Sequence, residues 1–187
     1  MNKKIIISLL LCISALMKAY SECELSDFDL AFTSGFVIKD DHFFKRVYGS
    51  GVIDVITADA CYYPWTHGGI GLKTSYWERN GETTVLKERT KLHEVPLIAY
   101  MRGRFGTRVQ GYFSLGGGVI FIHEKSYLGC VSTRSAVAEA EIGINWHIHS
   151  SVYLTVATNI LFPAKKYYGC KIDVGGYGLR AGIGFSF

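Results

Sequence analysis

The sequence predicts an all-β fold: eight antiparallel strands closed up-and-down into a single barrel. Three observations predict it. Apolar residues alternate with small or polar ones in eight segments, at about 27–38, 50–63, 67–79, 84–101, 108–123, 134–147, 150–163 and 174–187. The connections between these segments alternate between long and short. Beyond residue 21 no window has the spacing of an amphipathic helix or the length of an apolar membrane helix.

Residues 1–21 stand apart from the alternating segments. Lys3 and Lys4 precede the apolar run Ile5 to Met17, and Lys18-Ala19-Tyr20-Ser21 follows. A basic start, a short apolar stretch and small residues at the end read as a secretory signal cleaved after Ser21. The run is shorter than the roughly 20 residues that span a bilayer, and Glu22 ahead of Cys23 argues against a lipoprotein. The expected organisation is a signal peptide at 1–21 and one barrel domain at 22–187. That signal carries three lysines and no acidic residue, which leaves 17 Lys and Arg against 16 Asp and Glu. The basic balance belongs to the signal, and no nucleic-acid surface is expected.

The segments follow in order. After the first, third, fifth and seventh come KDDHFFKRVYG (39–49), RNGET (79–83), EKSYLGCVST (124–133) and PAKKYYGCKID (163–173). After the second, fourth and sixth come PWTHG, RGRFGT and HIHSS, which are short. Long loops at one end and tight turns at the other describe a barrel whose ends face different compartments. Asn80-Gly81 predicts a type I′ hairpin turn. The fourth segment breaks its own pattern: Thr90 and Leu92 suggest one outward parity, while Val95, Leu97, Ala99 and Met101 suggest the other. A β-bulge near Glu94-Pro96 would switch the parity. SLGGGV (114–119) lacks the Lys-Ser/Thr of a phosphate loop and reads as relief of crowding in a narrow barrel.

Membrane and soluble barrels both alternate, so the polar face has to decide between them. In the first segment Phe28, Leu30, Phe32, Phe36 and Ile38 oppose Asp27, Asp29, Ala31, Thr33 and Gly35. In the sixth, Ala136, Ala138, Ala140, Ile142, Ile144 and Trp146 oppose Glu139, Glu141, Gly143 and Asn145. The seventh sets Val152, Leu154, Val156, Ile160 and Phe162 against Tyr153, Thr155, Ala157 and Asn159. Small residues with a few charges of both signs suit a packed interior, whereas a soluble surface carries dense Lys and Glu. An interior ion-pair network is therefore expected among Asp29, Asp59, Glu139 and Glu141 with Lys73, Arg89, Lys91 and Arg180. Tyr62, Tyr63, Trp65, Tyr100, Trp146, Phe185 and Phe187 gather at the short-turn end as an interfacial girdle, with Tyr48, Tyr76, Trp77 and Phe121 towards the other.

This pattern resembles the small eight-stranded outer-membrane barrels of the OmpA/OmpX type. The last strand resembles their assembly signal, with Tyr177, Leu179, Ala181, Ile183, Phe185 and Phe187 alternating. That resemblance implies recognition by the barrel-assembly machinery. YYPWTHGGIGLKTSYWERNG (62–81) is also similar to a strand-turn-strand of small outer-membrane proteins from cysteine-rich intracellular bacteria. The expected protein is a monomer in the outer membrane with its termini in the periplasm and lipid around it. Eight strands leave an interior filled by side chains. The function expected is structural and surface-interacting, carried by loops at about 39–49, 80–83, 124–133 and 163–173, with DDHFFKRVY as the host- or surface-contact element.

Catalytic and metal chemistry find little support in the motifs. His123, Glu124 and Ser126 adjoin in sequence, but neighbouring strand residues point to opposite faces. His147 and His149 flank a short turn and read as solvated. No catalytic residue, cofactor or metal is expected. Three other readings stay open: a lipid-modifying barrel enzyme, a narrow channel for hydrophobic compounds, and a soluble lipocalin-like binder. Two disulfides are also open, Cys130 with Cys170 between the outer loops and Cys23 with Cys61 at the other end, against four free thiols.

Overall fold

The computed structural model describes residues 27–39, 42–49, 51–82, 88–126, 129–163 and 175–187. The signal peptide, Cys23, Cys170 and nearly all of the fourth long loop lie outside the described residues. Eight strands form the wall: β1 (Phe28–Ile38), β2 (Val52–Trp65), β3 (Gly68–Glu82), β4 (Arg89–Phe105), β5 (Val109–Ser126), β6 (Gly129–His149), β7 (Val152–Pro163) and β8 (Gly176–Ser186). A helix, α1 (His42–Tyr48), lies between β1 and β2. Each strand pairs antiparallel with the next, and β8 pairs with β1 to close the barrel.

The register fixes the shape. Starting at Phe28, the paired residues run Tyr62, Ile70, Met101, Leu115, Ala140, Ile160 and Tyr177, and return to β1 at Ile38, ten residues further on. A stagger of that size over eight strands implies a tilt of about 40° and a backbone radius of about 8 Å. Every residue on this path is apolar, so it traces a greasy line up the outside of the wall.

The outward face settles which way the barrel is turned. Phe32, Ile56, Leu72, Met101, Phe113, Leu115, Ile142, Ile144 and Val156 are each more than half exposed. The inward parity instead holds Asp29, Thr33, Asp59, Lys73, Glu139, Glu141, Asn145 and Arg180, all buried. On β5 the outward apolar run spans Val109 to Phe121, which at about 3.4 Å per residue and a 40° tilt is about 30 Å tall, the thickness of a hydrocarbon core. A soluble ligand-binding barrel has the opposite polarity.

Several sequence expectations need correction. The ladder between β4 and β5 runs without interruption from Leu92↔Glu124 to Ile98↔Gly118, so β4 has no bulge at Glu94-Pro96. Leu92 points inward because the interior is apolar at that height. The register shifts lie instead at Tyr62/Trp65, across Pro64, and at His147/His149, both beside short turns. Asn80-Gly81 is no turn: Asn80 pairs with Lys91 and Gly81 with Thr90 inside the β3–β4 ladder. A Cβ at Gly81 would sit 2.5 Å from the Tyr48 ring, so this glycine serves a close approach. The third long loop is largely strand, since β5 reaches Ser126 and β6 begins at Gly129.

Candidate functional site: a plugged mouth above a charged interior

The interior has two storeys. In the middle, six side chains from β2, β3, β4, β6 and β8 form a connected set with three charges of each sign: Asp59, Glu139 and Glu141 against Lys73, Arg102 and Arg180. Lys73 donates to Glu139 at 2.9 Å and to Glu141. Arg180 donates to Glu141, and Arg102 donates to Asp59 at 2.5 Å. Neutral groups complete the shell. The Tyr112 hydroxyl donates to Glu141 at 3.0 Å, Asn159 donates to Glu139 at 2.6 Å, and Tyr100 donates to Asp59. The Arg102 guanidinium also lies 4.3 Å from the Tyr112 ring centre and 4.7 Å from that of Tyr100. Burying an unpaired charge would be costly, and the balanced set with its hydrogen bonds answers that cost. Nearer the short turns, Ser186 donates to Asp29 at 2.8 Å, and Arg104 stacks 3.6 Å over Tyr63.

Above this lies an apolar plug. Val37, Ile53, Val55, Trp77, Leu92, Ile98, Ile120, Ile122 and Val137 point inward from β1 to β6, and α1 lays Phe44 and Tyr48 on top of them. The helix ends at Gly49, whose amide bonds the Lys45 carbonyl at 2.9 Å with φ of 77°, a left-handed cap that glycine adopts without penalty. Tyr48 fixes the helix to the wall: its hydroxyl donates to Glu124 at 3.0 Å and its carbonyl accepts from Arg79 at 3.4 Å. Within the plug Lys39 forms a fully buried ion pair with Glu94 at 2.9 Å. The Lys39 ammonium lies 4.3 Å from the Trp77 ring centre and 5.4 Å from that of Phe44.

Between α1 and the tops of β3, β4 and β5 a cleft of about 1160 Å³ opens outward. Among the described residues Arg46, Arg89, Lys91 and Lys125 line it together with Glu82 and Glu88, four cations against two carboxylates.

The structure places Asp29, Asp59, Lys73, Glu139, Glu141 and Arg180 inside, and all but Asp29 in the central set. Arg89 and Lys91 are not interior. Without a bulge they share the outward parity of Val95, and Lys91 pairs with Glu78 at 3.1 Å on the outer surface. The same continuous parity turns Glu94, Arg102 and Arg104 inward. Outward Met101 already signalled this for Arg102, and the supposed bulge hid it for Glu94. The girdle also loses members: Tyr63, Tyr100, Tyr48 and Trp77 are buried inside, while Tyr62, Trp65, Trp146, Phe185, Phe187, Tyr76 and Phe121 face outward. His147 is buried against the Tyr153 ring at 5.2 Å, and is not solvated. Phe44 and Tyr48 belong to the plug, and so are not exposed contact aromatics. Tyr177, Leu179, Ala181, Ile183, Phe185 and Phe187 lie on the outward parity of the last strand. Cys61 is a buried free thiol and Cys130 an exposed one, and their expected partners fall outside the described residues.

No protein-family model matches the chain, and no curated protein matches it. Solved structures do. The chain is similar to the outer membrane protein OprG from Pseudomonas aeruginosa, with a TM-score of 0.64, 13% identity, and coverage of 87% of this chain and 96% of that one. Neisserial surface protein A gives a TM-score of 0.61, 16% identity, and coverage of 87% and 98%. Ail, the attachment invasion locus protein of Yersinia pestis, solved in complex with the heparin analogue sucrose octasulfate, gives 0.54, 16%, and coverage of 87% and 97%. The chain has the fold of the small eight-stranded outer-membrane barrels.

Proposed function

We propose that the mature chain is a monomeric outer-membrane protein with a closed lumen, which acts by binding at its long-loop end and catalyses no reaction. The observation that carries this reading is the double closure of the interior, by the α1 plug and by the ion-pair set beneath it. A side-chain-filled barrel of this size offers no aqueous path, which leaves the outer end for contact with other molecules. In this reading the termini face the periplasm and the assembly machinery inserts the barrel through its last strand. Planar-bilayer recording tests the closed lumen: the expected result is no steady conductance, and a stable open level would overturn it.

The mouth cleft supplies the contact surface. Its four cations suit a polyanionic saccharide, the ligand chemistry of the sucrose octasulfate bound to Ail. Titration with sucrose octasulfate should give saturable binding that weakens with salt. The double variant R46A/R89A should weaken it by about tenfold or more, at roughly 1 kcal/mol per lost cation. Binding equal to that of the unsubstituted protein would refute the cleft assignment.

A further inference from the structure

On the outer wall of β3 to β6 the apolar band stops along a sharp line. The uppermost row without a charged side chain is Thr74, Leu97, Val119 and Ala136, joined strand to strand by the register. Directly above it Val95 and Phe121 pair with Arg134 at the end of the row. The next row is Glu78, His93, His123 and Ser132, and the one above that is Asn80, Lys91, Lys125 and Cys130. All of these share the outward parity, so they face the membrane's edge and not the lumen.

The patch is cross-linked by its own hydrogen bonds. The Tyr76 hydroxyl reaches up to Glu78 at 2.8 Å and to the His93 Nδ1 at 3.0 Å. The His123 Nδ1 and the Ser132 hydroxyl are 2.7 Å apart, and the two imidazole rings are 6.3 Å apart. Tyr76 and Lys91 hold the Glu78 carboxyl below the usual carboxylate range. In these rows one acid, Glu78, thus faces three permanent cations (Lys91, Lys125 and Arg134), two imidazoles and the hydroxyls of Tyr76 and Ser132. The rest of the wall is different. Among the described residues, the outward positions of β1, β2, β7 and β8 carry the single charge Asp54 and no cation.

We propose that this one-sided rim binds the phosphate groups of a phosphorylated lipid in the outer leaflet. Lipid phosphates lie where hydrocarbon gives way to water, which is the height of this patch, and cations there attract them at about 1 kcal/mol each. Arg134 supplies a planar fork of donors, and imidazole and hydroxyl groups add hydrogen bonds to the remaining oxygens. The proposal rests on the outer-membrane reading above and goes beyond it by naming a lipid-facing site on the outer wall, which shares only Lys91 and Lys125 among its cations with the mouth cleft.

The test uses the full chain refolded into phosphatidylcholine vesicles containing either diphosphorylated lipid A or the same lipid dephosphorylated. Lipid retained after detergent release is then counted by native mass spectrometry, with inorganic phosphate as competitor. The expected result is retention of the phosphorylated lipid alone, weakened about tenfold in H93A/H123A/R134A. Heat-modifiable gel mobility reports insertion. If the triple variant fails to insert, R134Q alone decides, with about a fivefold loss expected. Equal retention of the two lipids, or variants that match the unsubstituted protein, would overturn the proposal. Displacement by equimolar inorganic phosphate would overturn the lipid as ligand. An unsubstituted chain that never inserts fails the outer-membrane reading itself, whereas insertion without lipid retention fails only the rim.

Discussion

Lys39 is the residue on which the plug turns. It leaves the end of β1 fully buried, pairs with Glu94, and lies between the rings of Trp77 and Phe44. Lys39→Met removes the ammonium that pairs with the buried Glu94 carboxylate and should cost about 3–5 kcal/mol, measured as a fall in the urea midpoint of the vesicle-inserted protein. Lys39→Met combined with Glu94→Gln should recover a large part of that loss, because both charges of the pair are removed together. Leu92→Ala removes a fully buried side chain from the same cluster and should cost about 2–5 kcal/mol. Little of this was legible in the sequence. Lys39 reads as the first residue of a polar loop, and Glu94 as the flank of an apparent bulge. Their meeting depends on the stagger of the wall, which alternation along one strand does not encode. By contrast Lys73, Glu139, Glu141 and Arg180 could be assigned to the interior from parity alone, since each sits among small residues opposite an apolar row.

At the scale of elements, the strands were the readable part and the loops were not. Alternation locates a strand because a shift of one residue would turn its whole apolar set the wrong way. It fails where both faces are apolar, as in the upper half of β4, where inward Leu92 and Ile98 flank outward Val95 and Leu97. Helix α1 escaped for another reason. Seven residues are too few to show a period, and the helix exists because Phe44 and Tyr48 bury against the barrel mouth. Deleting residues 42–48 should therefore uncover Trp77. In a W65F/W146F background, where Trp77 is the remaining tryptophan, aqueous iodide should quench its emission strongly after the deletion and weakly before it. Equal quenching of both proteins would show that α1 does not seal the mouth. Gly49→Ala, which forces a side chain into the left-handed region, should loosen the same seal at a cost of about 1 kcal/mol.

For the molecule as a whole, the membrane reading makes one contrast quantitative. Leu72→Arg puts a charge in the middle of the apolar band and should cost about 2–4 kcal/mol of folding free energy in vesicles, whereas His93→Arg, above the band, should cost about 1 kcal/mol at most. Similar costs at the two positions would mean that the band is misplaced. The overall architecture was legible because loop length, small-residue faces and outward aromatics all repeat along the chain. The balanced charge set has a further consequence, for the order of assembly. Asp59, Lys73, Arg102, Glu139 and Glu141 all enter with β2 to β6, and together they carry one uncompensated negative charge until Arg180 arrives on β8. A barrel still open at its β1–β8 seam holds that charge in a setting that penalises it. Electroneutrality of the lumen is therefore a condition that only the finished ring meets, and it favours closure over any partly zipped form.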